Sequence, residues 1–305
     1  MRCCIFGAGG VGGYLGARLA EADHEVHLLA RGDHLTAIQR NGLRLESVFG
    51  DTTVEIPATD DPTEVGPCDV VVFTVKTYDT VASAGQLVPL LHDETAVISF
   101  QNGVDNEHLI AETIGPEHPV CGVAKIFSTI AAPGVVRHTG GPAEFIYGEM
   151  DGSVSERMRV FDAAMADCTG IQHHLSEEIN VELWRKLAFI CAQSGMTAAT
   201  RSTIGDIRTT DATWRMYRRV IEEVVEVAKA KAIDLPAGTV GSLIEFATTL
   251  DAEMTSSLAY DLEHGNRLEL EALCGSVVRH GRANDIETPM NEALYGVLAP
   301  LIDGR

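Results

Sequence analysis

The chain opens on a short apolar stretch, Cys3-Cys4-Ile5-Phe6. A run of glycines follows, and apolar residues then resume at helical spacing over 14–20. Glu25-Val26-His27-Leu28-Leu29 predicts a second strand. Residues 70–75, 96–100 and 120–123 are nearly unbroken apolar runs, which suit strands buried on both faces of a parallel sheet. Leu43-Arg44-Leu45-Glu46 and Thr53-Val54-Glu55-Ile56 flank Gly50-Asp51 and predict a hairpin inserted after the second strand. Gly134-Val135-Val136-Arg137-His138 and Glu144-Phe145-Ile146-Tyr147-Gly148 predict two strands joined at Gly140-Gly141-Pro142. A helix over 155–167 and a strand over 171–174 complete this pattern.

From Ser176 onward the period is helical. Ser176 predicts an N-cap ahead of Glu177 and Glu178. The following helix passes through Trp184 and Leu187 into the apolar run Ala188-Phe189-Ile190-Cys191-Ala192. Met216, Val220, Val224, Val227 and Ala228 mark a helix over 214–232. Another leads to Ser256-Ser257-Leu258 and stops at His264-Gly265-Asn266, and a further one spans 268–280. Thr288-Pro289 offers a cap and a first-turn proline for the last. The fold class is therefore α/β, with a Rossmann-type doubly wound sheet over 1–175 followed by an all-α domain over 176–305.

The glycines spell a G-x-G-x-x-G fingerprint, Gly7-Ala8-Gly9-Gly10-Val11-Gly12, between a strand and a helix, the setting that makes it a dinucleotide loop. The first glycine permits the turn, the second lets backbone approach a pyrophosphate, and the third brings helix against strand. NAD-selective loops place an acid at the end of the second strand. This chain has Ala30-Arg31 there, and an arginine pairs with a 2′-phosphate, so the sequence predicts NADP(H). The competing reading makes Arg31 a solvated loop cation.

Composition narrows the partners. The formal net charge is −21, which repels nucleic acid and anionic membranes. No apolar run has the length of a membrane span. A strand starts almost at Met1, so no signal peptide is expected, and a soluble cytoplasmic protein is. The seven cysteines form no C-x-x-C pair, and neither a disulfide framework nor a zinc site or other metal is indicated. Apolar helix surface leaves room for a homodimer without fixing one.

Lysine is rare, occurring only at positions 76, 125, 186, 229 and 231, and arginine cannot release a proton at working pH as lysine can. A retained lysine is thus a candidate for chemistry. Lys76 and Asn102 follow sheet strands at their C-terminal ends, where open α/β sheets bind ligands. Lys76 suits a phosphate or carboxylate, and Asn102 a carboxamide or substrate oxygen. The blander readings are a helix-start cation and an Asn-Gly turn. In Glu182-Leu183-Trp184-Arg185-Lys186-Leu187 the acid and lysine fit an i,i+4 surface pair. Lys186 also opens onto an apolar stretch, where desolvation lowers a lysine pKa toward the range of a general acid. Glu269 is one of several acids on a later helix, and its spacing does not select it.

These stretches together resemble the ketopantoate reductases (2-dehydropantoate 2-reductases) of the 6-phosphogluconate-dehydrogenase-like superfamily. The resemblance runs nearly the whole length, through the glycine loop, Ala30-Arg31, Gly42-Leu43-Arg44-Leu45, Val75-Lys76-Thr77, Gln101-Asn102-Gly103-Val104, the E-L-W-R-K-L stretch, Ser256-Ser257 and Glu269 to Gly275. It implies NADPH-dependent reduction of a 2-oxo acid, ketopantoate to pantoate in pantothenate biosynthesis. Lys186 would protonate the carbonyl oxygen, and Glu269 would bind a substrate hydroxyl. Lys76 and Asn102 would hold cofactor and substrate, Ser257 would lie by the substrate carboxylate, and Ser128, in the loop after the third strand, by the cofactor.

The chain departs from the family pattern at substrate positions. Ile190 and Ser194 stand where many members have asparagines, and Leu268 and Cys274 replace a threonine and an asparagine. A more apolar site points to a less hydroxylated oxo acid. The alternatives are a related dehydrogenase acting on another oxo acid or imine, and a non-catalytic NADP-binding regulator, which would have no need of Lys186 or Glu269.

Overall fold

The protein is described by a computed structural model covering residues 1–304. Its chain divides into two units, 1–101 with 106–179, and 102–105 with 180–305. The first unit contains β1 (Arg2–Phe6), α1 (Gly10–Glu21), β2 (Glu25–Leu29), α2 (Gly32–Asn41), β3 (Leu43–Ser47), β4 (Thr52–Val54), β5 (Ala58–Thr59), β6 (Val70–Phe73), α3 (Thr80–Ala84), β7 (Ala96–Ser99), α4 (Asn106–Ile114), β8 (Pro119–Ala132), β9 (Val135–Gly148), α5 (Glu156–Ala166) and β10 (Gln172–Leu175). Helices α6 (Ile179–Thr200), α7 (Ile204–Thr209), α8 (Asp211–Ala230), α9 (Thr239–Thr249), α10 (Ser257–Glu263), α11 (Cys274–Ala283) and α12 (Pro289–Leu298) follow. The fold is thus a Rossmann-like sheet domain followed by a helical one.

Strand pairing among the described residues gives one mixed sheet in the order β4-β3-β9-β8-β7-β6-β1-β2-β5, with β10 beside β9. From β5 to β8 all pairs are parallel. The continuous apolar runs follow from helices on both faces. Cys3 and Ile5 of β1, with Val70 and Val72 of β6, enter one core layer, and Cys4, Phe6, Val71 and Phe73 enter the other. Successive residues of a strand point to opposite faces, so both sets must be apolar. All seven cysteines are free and buried.

The hairpin at 43–56 forms, with Leu43 opposite Val54, and β3 joins the sheet parallel to β9. Several sequence expectations are corrected. Gly140-Gly141-Pro142 does not end a strand. β8 and β9 pair as one long antiparallel hairpin, whose irregularities near Lys125, Phe127 and Ser128 absorb the glycines. Ser176 does not cap α6 directly. Its own N–H donates to the Tyr147 carbonyl, so the backbone stays tied to the sheet and the helix starts at Ile179.

The helix read over 268–280 is broken at Leu273, where ψ is −111°. The Leu268 N–H is committed to the Ile302 carbonyl at 2.8 Å, so Glu269 precedes a 3-10 turn, Leu270–Ala272, instead of lying within a helix. The segment leading to Ser256 is likewise two helices. Ser256 caps α10 by accepting from the Ala259 N–H at 3.1 Å. Thr288 makes no side-chain cap bond at α12; Glu223 of α8 takes that place.

Candidate active site

Strand β1 lies between β2 and β6 in the sheet, so the connections leave it in opposite directions. That reversal opens a crevice at the strands' C-terminal ends. The glycine loop sits there. Gly7 takes φ +105°, a left-handed conformation natural to glycine, and both Gly7 and Ala8 donate their N–H to the Leu29 carbonyl. A side chain on Gly12 would collide with the Gly7 carbonyl and Thr74 Oγ1, so this glycine lets α1 approach β1, while a Cβ on Gly9 would meet nothing within 4 Å. Helix α1 starts with no side-chain cap and no acid in its first turn. Its N-terminal N–H groups and dipole therefore suit an anion, and the loop fits a dinucleotide diphosphate.

Thr74 Oγ1, after β6, donates to the Gly7 carbonyl at 2.8 Å, locking the two loops together. Lys76 follows, half-buried, as the N-cap residue of the 3-10 turn Thr77–Asp79. Arg31 is exposed just past β2 and opens α2. Ser128 lies within β8, not in a loop after it, and its Oγ donates to the Gly10 carbonyl at 2.8 Å. Its contact is thus with the glycine loop, which it steadies.

Gln101 was not among the site residues read from the sequence. Its Nε2 donates to the Val75 carbonyl at 2.9 Å and to Thr80 Oγ1 at 2.8 Å, while Ser99 Oγ donates to its Oε1 at 3.2 Å. It therefore braces the segment that carries Lys76. The available signal was a glutamine directly after an apolar strand, beside Asn102.

Asn102 groups with the helical unit. In that unit a Cβ on Gly103 would lie 2.9 Å from the Ala272 carbonyl, which puts the Asn102-Gly103 pair against the turn that begins with Glu269. Asp105 anchors the same segment to α11, accepting from His280 Nε2 at 2.7 Å and Arg279 Nη2 at 3.1 Å. Burial pushes the Asp105 carboxyl up, but His280 and Arg279 outweigh it and hold the group below the usual carboxylate range. The His280 ring lies 5.6 Å from that of Trp184 on α6. This chain of contacts brings the segments carrying Asn102, Glu269 and Lys186 into one neighbourhood.

Lys186, Ile190 and Ser194 recur at i, i+4 and i+8, hence on one face of α6. Lys186 and Ile190 are half-buried, and Ser194 is buried. Leu183, Trp184, Leu187 and Ala188, neighbours of Lys186 in sequence on α6, are buried. Farther along, Gln193 Nε2 donates to the Thr255 carbonyl, and Thr197 Oγ1 lies 2.8 Å from Ser256 Oγ. These contacts present Ser257, which is exposed, at the start of α10. Glu269 is buried. Leu268 and Cys274 are buried in protein, with the Cys274 thiol against the Cys191 carbonyl.

The predicted residues thus fall into two sets. Gly7, Ala8, Gly9, Gly10, Val11, Gly12, Arg31, Lys76 and Ser128 belong to the sheet unit, and Asn102, Lys186, Ile190, Ser194, Ser257 and Glu269 to the helical one. A mixed sheet with a phosphate-type glycine loop at the switch point of its parallel half, followed by a helical unit bearing a lysine and a buried acid, defines a Rossmann-type oxidoreductase.

Comparison with known proteins makes the class specific. Residues 3–152 match the family model described as ketopantoate reductase PanE/ApbA, and residues 178–301 match its C-terminal counterpart. The 2-dehydropantoate 2-reductase of Mesorhizobium japonicum is 32% identical over 99% of this chain and 98% of its own. That of Halobacterium salinarum is 31% identical over 96% of each. A crystal structure of a PanE/ApbA family ketopantoate reductase from Ralstonia eutropha superposes with a TM-score of 0.90 at 33% identity, covering 99% of this chain and 98% of the other. The chain belongs to the ketopantoate reductase family. It is accordingly an enzyme, an oxidoreductase, which sets aside the non-catalytic regulator. No helix among the described residues is long and apolar enough to cross a membrane.

Proposed function

We propose that the protein reduces a 2-oxo acid to a 2-hydroxy acid with NADPH, ketopantoate being the first substrate to test. The observation that carries this reading is Lys186, half-buried on the α6 face it shares with Ile190 and Ser194. When bound, the nicotinamide supplies a hydride to the keto carbon. Lys186 gives its Nζ proton to the carbonyl oxygen as negative charge develops there, and its apolar flanks exclude water from that transfer. Glu269 and Asn102 orient the substrate through its hydroxyl and carbonyl oxygens, and Ser257 donates to its carboxylate. The sheet unit holds the dinucleotide, with the α1 N-terminus at the diphosphate, Lys76 as a nearby cation and Arg31 at the 2′-phosphate. The free, buried thiols fit a reducing compartment, and the cytoplasm is the proposed location.

The test is NADPH oxidation across a panel of 2-oxo acids that includes ketopantoate; no turnover with any member would sink the reading. Cofactor choice is checked separately. Arg31→Ala should raise KM for NADPH by about tenfold or more, the scale of a lost charge-assisted pair, and leave KM for NADH unmoved. Equal effects on both cofactors would make Arg31 an ordinary surface cation.

Preference for a less hydroxylated oxo acid rests on Ile190. Of the four departures from the family pattern, Ser194, Leu268 and Cys274 are buried, and Ile190 alone keeps partial exposure. An apolar side chain there leaves a substrate hydroxyl unpaired. Ile190→Asn should therefore raise kcat/KM for ketopantoate relative to an unhydroxylated 2-oxo acid by about tenfold. An unchanged ratio would show that Ile190 does not set specificity.

A further inference from the structure

His34, in the first turn of α2, is not among the residues assigned above, yet its ring joins three parts of the sheet unit. Nε2 lies 2.9 Å from the Ala8 carbonyl of the glycine loop. Nδ1 lies 3.0 Å from the backbone N–H of Gly134, in the turn joining β8 to β9. A carbonyl can only accept and a backbone N–H can only donate. The two partners therefore fix one state of the ring, neutral, with the proton on Nε2 and the lone pair of Nδ1 facing Gly134.

A proton added at Nδ1 would confront the Gly134 N–H, and that bond would be lost. Burial already pushes the imidazole below its ordinary range, against a smaller opposing effect of the Ala8 carbonyl. The shift of the ring has no carboxylate among its causes. Neither 7–12 nor 131–135 contains an ionisable side chain; the charged groups of the adjoining segments are Arg31, Asp33 and Arg40 on α2 itself and Arg44 in β3, whose backbone N–H meets the Gly134 carbonyl.

We infer that His34, as a neutral imidazole bridging Ala8 and Gly134, is a positioning residue for the nucleotide site. It sets the glycine loop, the start of α2 with Arg31, and the hairpin bearing Ser128 in register with one another. Ser128 Oγ on the Gly10 carbonyl is the second tie between that hairpin and that loop. The inference rests on the dinucleotide reading of the loop. The bridge is intact while the ring is neutral, at and above the ordinary histidine range, and it is lost as pH falls through the lowered value.

The experiment measures NADPH binding by fluorescence titration and steady-state KM and kcat between pH 5 and pH 8. It compares the full-length wild type with His34→Leu, His34→Gln and His34→Asn. Gln can still donate to Ala8, and Asn can still accept from Gly134. At neutral pH His34→Leu should raise Kd and KM for NADPH by about tenfold while kcat falls far less, and each amide variant should recover part of the loss. In wild type the affinity should fall more steeply toward acid pH than in His34→Gln, whose remaining slope is that of the cofactor's own 2′-phosphate. NADPH affinity unchanged in all three variants, or identical acid slopes in wild type and His34→Gln, would overturn the inference. If His34→Leu fails to fold, the two amide variants and the slopes decide. A wild type that binds no dinucleotide at any pH would instead refute the cofactor reading beneath it.

Discussion

Replacing Lys186 with alanine should lower kcat by about a hundredfold or more, the range of a lost general acid. The lysine is half-buried on α6, so its side chain is partly shielded from solvent. A methyl group there leaves the forming alkoxide to whatever water reaches it. On the proposed reading NADPH affinity should hardly change, because the glycine loop and Arg31 would set it. Lys186→Arg is the sharper variant. It keeps the positive charge but not a proton that can be given up, so substrate KM should stay nearer wild type while kcat falls almost as far as in alanine. Steady-state kinetics with saturating NADPH decide the matter. A rate for Lys186→Ala within about tenfold of wild type would remove the lysine from the chemistry and leave it a packing residue.

Local pattern carried much of the fold. The strands of the parallel half were legible because both faces of β1, β6 and β7 are covered, so their positions are almost all apolar. The glycine loop was legible because each glycine answers a local demand, as φ at Gly7 and the Gly12 contact with Thr74 show. What escaped depends on partners far along the chain. Glu269 reads as helical until the Leu268 N–H is found on the Ile302 carbonyl. Asn102 reads as part of the sheet domain, yet Asp105 binds His280 and Arg279 and carries the segment into the helical unit. Ser128 reads as a loop residue because the apolar run ends at Val123, whereas β8 continues to Ala132 in a long, irregularly paired hairpin. His34 carries no signal at all, being one polar residue on an amphipathic helix whose two partners belong to other segments.

The same limit explains the second large effect, at Glu223. Glu223 shares the apolar stripe of α8 with Val220, Val224 and Val227, and this charged residue is fully buried there. Its carboxylate accepts from the N–H groups of Met290 and Asn291, each at 3.0 Å, and from Asn291 Nδ2 at 2.8 Å. It thus caps α12 from another helix, where Thr288 makes no side-chain bond. An acid at a helix N-terminus also meets the favourable end of the helix dipole. Arg219 stands 3.8 Å away and is itself partly exposed, so it adds little. Glu223→Ala would strand two buried backbone donors and an amide, at about 3–5 kcal/mol, the range for breaking a buried charged contact. That corresponds to a melting temperature lower by about 10 °C. Glu223→Gln retains one acceptor oxygen and should lose roughly half as much. Thermal unfolding read by circular dichroism distinguishes these outcomes, and an alanine variant melting with wild type would mean that water or Thr288 can replace the carboxylate as the cap of α12.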